Sequence, residues 1–178
     1  MTNQAIRCEM KKKRSAMPSL DVKTYSDAIF QKIKTLDFVL DKCNFLIYKD
    51  FKNEVKTDRI ISYLHALGKA VAHPITLGEE MIAAIPAGEE TTRDAFGIVI
   101  PIEYSIMKSP DVIFVPLVAC DERKNRLGFG KGFYDRYMRD KKALKIGLCY
   151  DFQVTDGITV NEWDVPLDMI ITEKRIIR

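Results

Sequence analysis

Apolar side chains recur at spacings of three and four along residues 18–40, where Tyr25, Ile29, Ile33, Leu36 and Leu40 share one face. That period predicts an amphipathic helix, introduced by Pro18 and Ser19. A second stripe, Ile60, Ile61, Leu64 and Leu67, predicts a helix over 57–69 that stops at Gly68. Between and after these lie short apolar runs that read as strands, at 43–50, 70–75, 80–87, 144–150 and 168–172. The run DVIFVPLVA, residues 111–119, is almost continuously apolar and rich in valine, as suits a central parallel strand covered on both faces. TTRDAFGIVIP, residues 91–101, is expected to make a helical turn followed by an extended segment, and FYDRYMRDKK, from residue 133, to start a helix. Strands alternating with helices predict an α/β fold: a single layered α/β/α domain over residues 1–178 with a mainly parallel central sheet. Ligands of such sheets gather beyond the carboxyl ends of the strands, so the segment after residue 119 is delivered to the expected site.

Composition narrows the function classes. No apolar run approaches the roughly 20 residues that span a bilayer, and no apolar segment follows the basic N-terminus, so neither a membrane partner nor a secretory leader is expected. Cys8, Cys43, Cys120 and Cys149 are too widely spaced for a metal knuckle or a dense disulfide framework. They read as reduced thiols of a cytoplasmic protein, with Cys120 and Cys149 as packing residues. His65 and His73 are too few and too isolated for a zinc site, and His65 is expected to be a partly buried structural residue. The net charge of +3 is concentrated in a basic arm, about residues 1–16 and expected to be helical, where Arg7, Lys11, Lys12, Lys13 and Arg14 face Glu9 alone. Such an arm suits a phosphate-bearing ligand or nucleic acid, or is simply a solvated helix face. The arm lacks the interleaved aromatic rings that stacking on single strands requires, so a nucleic-acid partner is not expected.

The stretch RLGFGKGFYDRY, residues 126–137, is where chemistry concentrates. Gly128, Gly130 and Gly132 allow positive φ and close backbone approach, so that successive N–H groups point at one anion. The following helix adds its N-terminal partial charge, and Lys131, Arg126 and Arg136 add full charges. Asp135 beside a bare phosphate would repel it, yet fits if a divalent cation lies between them. Together these residues point to a nucleoside triphosphate with magnesium. The stretch is neither a P-loop, since Asn125 and Gly132 break that pattern, nor a dinucleotide fingerprint, which fails at Phe133.

In this order the residues resemble the 5-formyltetrahydrofolate cyclo-ligase family, also called 5,10-methenyltetrahydrofolate synthetases. Residues 126–136 fit its R-L-G-x-G-x-G-[FY]-Y-D-R throughout. VPLVACD, residues 115–121, resembles its V-P-[GL]-x-x-F-D block with Cys120 in place of phenylalanine. NEVKT, residues 53–57, matches E-V-x-T, and WDVPLDMIITE, residues 163–173, resembles its C-terminal block. The resemblance implies that ATP lies against Arg126, Leu127, Gly128, Phe129, Gly130, Lys131, Gly132, Phe133 and Tyr134, with Lys131 and Arg126 as the catalytic cations. It implies that magnesium is held by Asp135 and Asp164. It places the folate against Glu54 and the loop from Phe129 through Gly130, Lys131 and Gly132 to Phe133. Its N-terminal nucleotide contact falls on Asn3 and Arg7, with Asn3 where lysine is usual and Lys11 to Arg14 as nearby cations. Its G-x-x-[EQ]-P turn reads GIVIP here, Ile100 replacing a polar residue.

The implied reaction converts 5-formyltetrahydrofolate and ATP to 5,10-methenyltetrahydrofolate, ADP and phosphate, a ligase forming a C–N bond. Its partners are small molecules, and a monomer is expected. Read without the resemblance, Glu54 is a charge at a helix start capped by Thr57 and Asp58, Asp164 is a turn carboxylate, and Trp163 and Phe129 are either pterin-stacking rings or packing lids. A sugar-phosphate isomerase or acyl transferase on a similar sheet is the competing class, because a fold does not fix a function.

Overall fold

The computed structural model describes residues 1–94 and 97–178. Along the chain run α1 (Asn3–Ser15), α2 (Ser19–Lys34), α3 (Phe38–Asp41), β1 (Asn44–Ile47), α4 (Asp58–Ala66), β2 (Ala70–Leu77) and β3 (Glu80–Pro86). Three short strands follow, β4 (Thr91–Arg93), β5 (Val99–Pro101) and β6 (Tyr104–Ile106). The rest comprises β7 (Val112–Pro116), β8 (Ala119–Cys120), β9 (Arg126–Leu127), α5 (Phe133–Met138), β10 (Leu144–Leu148), β11 (Met169–Ile171) and β12 (Ile176–Ile177).

Among the described residues, eight strands form one sheet in the order β12-β11-β10-β7-β1-β2-β3-β6. From β11 to β2 the neighbours run parallel, while β12, β3 and β6 are antiparallel. The chain leaves β1 toward β2 on one side and β7 toward β10 on the other, so strand order reverses between β1 and β7. Ligands collect at such a point beyond the carboxyl ends of the strands.

Alternation along the strands divides the core into two layers. Phe45 and Ile47 of β1 and Val112 and Phe114 of β7 point to one face, where Ile29 and Ile33 of α2 and Ile60 and Leu64 of α4 cover them. Leu46, Ile113 and Val115 point to the other, against Met81 and Ala83 of β3 and Met138 of α5. Both β7 faces are thus buried, which is why its sequence shows no polar alternation.

Four expectations need correction. The helix predicted over 18–40 divides: α2 ends at Lys34, where Leu36 N–H donates to Ile33 O and the Thr35 hydroxyl to Lys32 O, and α3 resumes at Phe38. The strand predicted over 111–119 leaves the sheet at Pro116, which has no N–H for a ladder. Beyond it β8 pairs with β9, carrying the chain back into the glycine stretch. The turn expected near 91 is instead strand β4, paired antiparallel with β5, and its residues 95 and 96 lie outside the described residues. Finally, the basic arm is more than a solvated face: α1 buries Ile6, Met10 and Arg14, with Ile6 and Met10 packed on Val118, Ala119 and Leu127.

Candidate active site

At the carboxyl ends of β1, β2 and β7 the structure opens a cavity of about 480 Å³. Tyr48 and Lys49 line it from the end of β1, His73 and Thr76 from β2, and Pro116 from β7. Asn3, Arg7, Glu54, every residue from Arg126 to Asp135, and Asp164 border the same space. Sequence positions more than a hundred residues apart are thereby brought to one pocket.

The glycine stretch reaches the cavity as an exposed loop between β9 and α5. Gly130 and Gly132 have φ of 97° and 69°, in the left-handed region, and Gly130 has open space where a Cβ would stand. Gly128 differs: its φ is not positive, and a Cβ there would lie 3.3 Å from Arg126 Nη1, so that this side chain would have to give by a few tenths of an ångström. Lys131 is exposed on the loop. Leu127 is buried under α1, and Phe133 lies beneath the Arg136 guanidinium at 5.2 Å. Arg136 is not among the residues that line the cavity. Its side chain donates to Glu79 O at 2.7 Å and to Lys131 O at 3.0 Å, bracing the loop from outside. The expected helix is the six-residue α5, capped by Gly132 without a side-chain hydrogen bond.

The buried Arg126 pairs with the half-buried Asp135, Nη2 to Oδ1 at 2.7 Å. The same Oδ1 accepts the Val165 N–H at 3.1 Å, so the residue after Asp164 is bonded to Asp135. Asp164 Oδ2 accepts from the Asn161 N–H at 2.8 Å, closing a tight turn. Among the described residues no group of three or more His, Cys, Asp or Glu side chains is gathered to hold a metal.

Glu54 occupies the inner wall and is only 6% exposed. Its Oε2 accepts the Phe51 N–H at 3.0 Å, and Arg14 Nη1 lies 3.9 Å from Oε1. Burial pushes its carboxyl up to about 7, outweighing the opposing pull of Arg14. The loop holding it is bent through Lys52 and Asn53, both at positive φ. The Asn53 amide donates to Arg14 O at 3.1 Å, sewing this loop to the end of α1. Thr57 is the N-cap residue of α4 but makes no side-chain cap bond; its hydroxyl donates to Tyr48 O at 2.9 Å. Glu54 therefore belongs to the cavity wall rather than to a helix terminus. Beside it the buried Tyr134 hydroxyl has no hydrogen-bond partner among the described residues, and burial raises its pKa.

Arg7 donates to Gly128 O at 2.9 Å from α1, so the arm grips the loop directly. Asn3 uses its whole amide on Thr159, donating to its carbonyl at 2.7 Å and accepting its N–H at 3.0 Å. It thus fastens α1 to the segment before Asp164. Phe129 lines the cavity, with Lys11 Nζ 4.9 Å above its ring, whereas Trp163 is 60% exposed and outside the lining. His65 is exposed on α4, contrary to expectation, while Cys120 and Cys149 are fully packed, 3.6 Å apart.

Sequence reasoning missed His73 and Tyr48. His73 hydrogen-bonds Ile47 O through Nδ1 at 2.9 Å, and burial lowers its pKa. That bond fixes Nδ1 as the donor and leaves Nε2 as an acceptor. A histidine inside an apolar run was the available signal, and it reads equally as a core residue.

A model of the 5-formyltetrahydrofolate cyclo-ligase family matches residues 1–173. A 5-formyltetrahydrofolate cyclo-ligase from Haemophilus influenzae is 30% identical, over 92% of this chain and 94% of its own. Among solved structures, Aquifex aeolicus 5,10-methenyltetrahydrofolate synthetase superposes with a TM-score of 0.88 at 30% identity, covering 100% of this chain and 93% of the other. The Mycoplasma pneumoniae 5,10-methenyltetrahydrofolate synthetase gives 0.81 at 28% identity, covering 97% and 99%.

Proposed function

This chain belongs to the 5-formyltetrahydrofolate cyclo-ligase family, and from that premise we propose that it closes 5-formyltetrahydrofolate to 5,10-methenyltetrahydrofolate with ATP, releasing ADP and phosphate. The observation that supports this most is one cavity bordered both by a bare cationic loop and by a buried carboxylate. The first suits a triphosphate and the second a pterin, and the chemistry needs them adjacent.

The formyl oxygen of the substrate is a poor leaving group. Transfer of the γ-phosphoryl group to it gives an imidate-like phosphate. The substrate's N10 then adds to the formyl carbon and gives up its proton, and phosphate departs. No side-chain nucleophile is needed; positioning and charge neutralisation do the work. Lys131 and the loop N–H groups hold the phosphate charge, with Arg7 steadying the loop at Gly128. Arg126 acts through Asp135, which it fixes in place. Glu54 and the loop from Phe129 to Phe133 hold the folate.

Asp135 and Asp164 are the residues that would hold magnesium. Two carboxylates on one rim fit an ion that takes one or two protein oxygens and completes its shell with water and phosphate. Bound there, it supplies charge neutralisation on the phosphate oxygens.

Incubating the purified protein with 5-formyltetrahydrofolate should produce the methenyl absorbance when ATP and magnesium are both present and not when either is omitted. Product formed without ATP, or none under any condition, would overturn the reading.

A further inference from the structure

The ring closure proposed above, on which this inference rests, has to move one proton. N10 bears a hydrogen in the substrate and none in the product, and the departing phosphate takes one up. The cavity offers little to carry it. Its lysines and arginines are donors, and its carboxylates are engaged. Asp94 accepts from the Ile98 N–H, Asp135 from Arg126, and Asp164 from the Asn161 N–H. Glu54 accepts from the Phe51 N–H at one oxygen and faces Arg14 at the other. His73 is different: it lines the cavity, it is buried, and its Nε2 makes no hydrogen bond among the described residues.

The pair His73-Pro74 explains how that ring is set. Ala70 N–H donates to Cys43 O, and the parallel ladder of β1 and β2 repeats every second residue, which would bring the N–H of residue 74 to Ile47 O. Proline has none to give. The His73 Nδ1–H takes that carbonyl instead, at 2.9 Å, and the lone pair stays on Nε2. Burial first, then Lys49 and His65, lower the pKa of the ring, so it is neutral and able to accept. Strand β2 also lies between β1, whose loop carries Glu54, and β3, at whose start Glu79 O is bonded by Arg136 of α5. His73 thus stands between the wall that suits the pterin and the loop that suits the phosphates, where the formyl carbon and N10 must meet. We propose that His73 is the proton carrier of ring closure. Its Nε2 takes the N10 proton as N10 bonds to the formyl carbon. The lone pair left on N10 expels the phosphate, whose oxygen keeps the electrons of the broken C–O bond, and the imidazolium returns the proton to that phosphate. The ring ends neutral and no further reactant is used. The competing carrier is the departing phosphate itself.

His73→Asn separates the base from the brace, because an asparagine amide can donate to Ile47 O but cannot take a proton. A single turnover with 5-formyltetrahydrofolate, ATP and magnesium is followed for methenyl product by absorbance and for ADP by acid quench. In the wild type the two should appear together. In the variant methenyl formation should slow by about 10²- to 10⁴-fold, as for loss of a general base, while ADP still forms at close to the wild-type rate. Methenyl formation as fast in the variant as in the wild type gives the proton to the phosphate and overturns the proposal. ADP and methenyl slowed together make His73 a structural residue and overturn it as well. Should the asparagine variant not fold, His73→Gln, nearer in volume, is put through the same measurement with the same outcomes. A wild type that makes no methenyl product defeats the reaction itself, and the proposal with it. Where the wild type is active, the variant alone decides.

Discussion

Asp135 carries two duties that its sequence context does not separate. Its Oδ1 neutralises the buried Arg126 and also accepts the Val165 N–H, so replacing it leaves a guanidinium buried without its counter-charge. Asp135→Asn should therefore lower stability by about 3 kcal/mol as well as weaken magnesium dependence. Asp164, whose side chain among the described residues bonds only Asn161 of its own turn, should behave differently. Asp164→Asn should raise the magnesium concentration needed for half-maximal rate with a stability change within about 0.5 kcal/mol. Urea denaturation beside a metal titration checks both, and equal stability of the two variants would refute the assignment of the Arg126–Asp135 pair. Glu54 gives a pH signature. Its carboxyl is raised to about 7 when folded, so the folded chain binds that proton more tightly than the unfolded one. The stability this contributes is present at low pH and is lost as pH rises through about 7. Between pH 5 and pH 8 the wild type should lose about 2 kcal/mol that Glu54→Gln keeps, read from urea midpoints at each pH. Parallel curves would show that Glu54 is not desolvated.

The loop from Arg126 to Gly132 behaves as an element whose glycines have two kinds of reason, positive φ at Gly130 and Gly132 and a close side chain at Gly128. Gly130→Ala places a side chain at φ of 97° in open space, so its penalty is backbone strain of about 1–2 kcal/mol and a reshaped loop. Gly128→Ala has no such strain but presses on Arg126, and through it on Asp135. The first should raise KM for ATP with metal dependence unchanged, while the second should disturb metal dependence. Steady-state kinetics across a magnesium series separates them. On the opposite side, α1 was legible as a basic helix from its charges, but its role was not. Its buried stripe of Ile6 and Met10 is short, and the partners Val118, Ala119 and Leu127 lie over a hundred residues away. Ile6→Ala should cost about 2–4 kcal/mol in urea denaturation, as for a core position, where a solvated arm would show almost nothing.

At the scale of the molecule, five parallel strands deliver the cavity, and their reversal between β1 and β7 sets its place. Most of this was legible because period is local: residues 44–47, 58–66 and 112–116 declare strand, helix and strand through spacing and branched side chains alone. Chain departures were less legible. Pro116 takes the chain out of the sheet because it has no N–H to give, yet its apolar neighbours Leu117 to Ala119 read as more strand. The direction of β3 and the β4–β5 hairpin were hidden for the same reason, since pairing is a long-range choice that short apolar runs do not encode. By itself, then, the sequence determined the periodic elements, the layered class and a loop able to bend toward an anion, all properties of residues within a few positions of one another. Tertiary structure alone decided that Asp135 is held by Arg126, that Arg136 braces the loop through Lys131 O and Glu79 O, and that Glu54 is dry enough to raise its pKa to about 7. Each of these depends on what is excluded or brought near in space, and neither charge pairing nor desolvation is written in the order of residues.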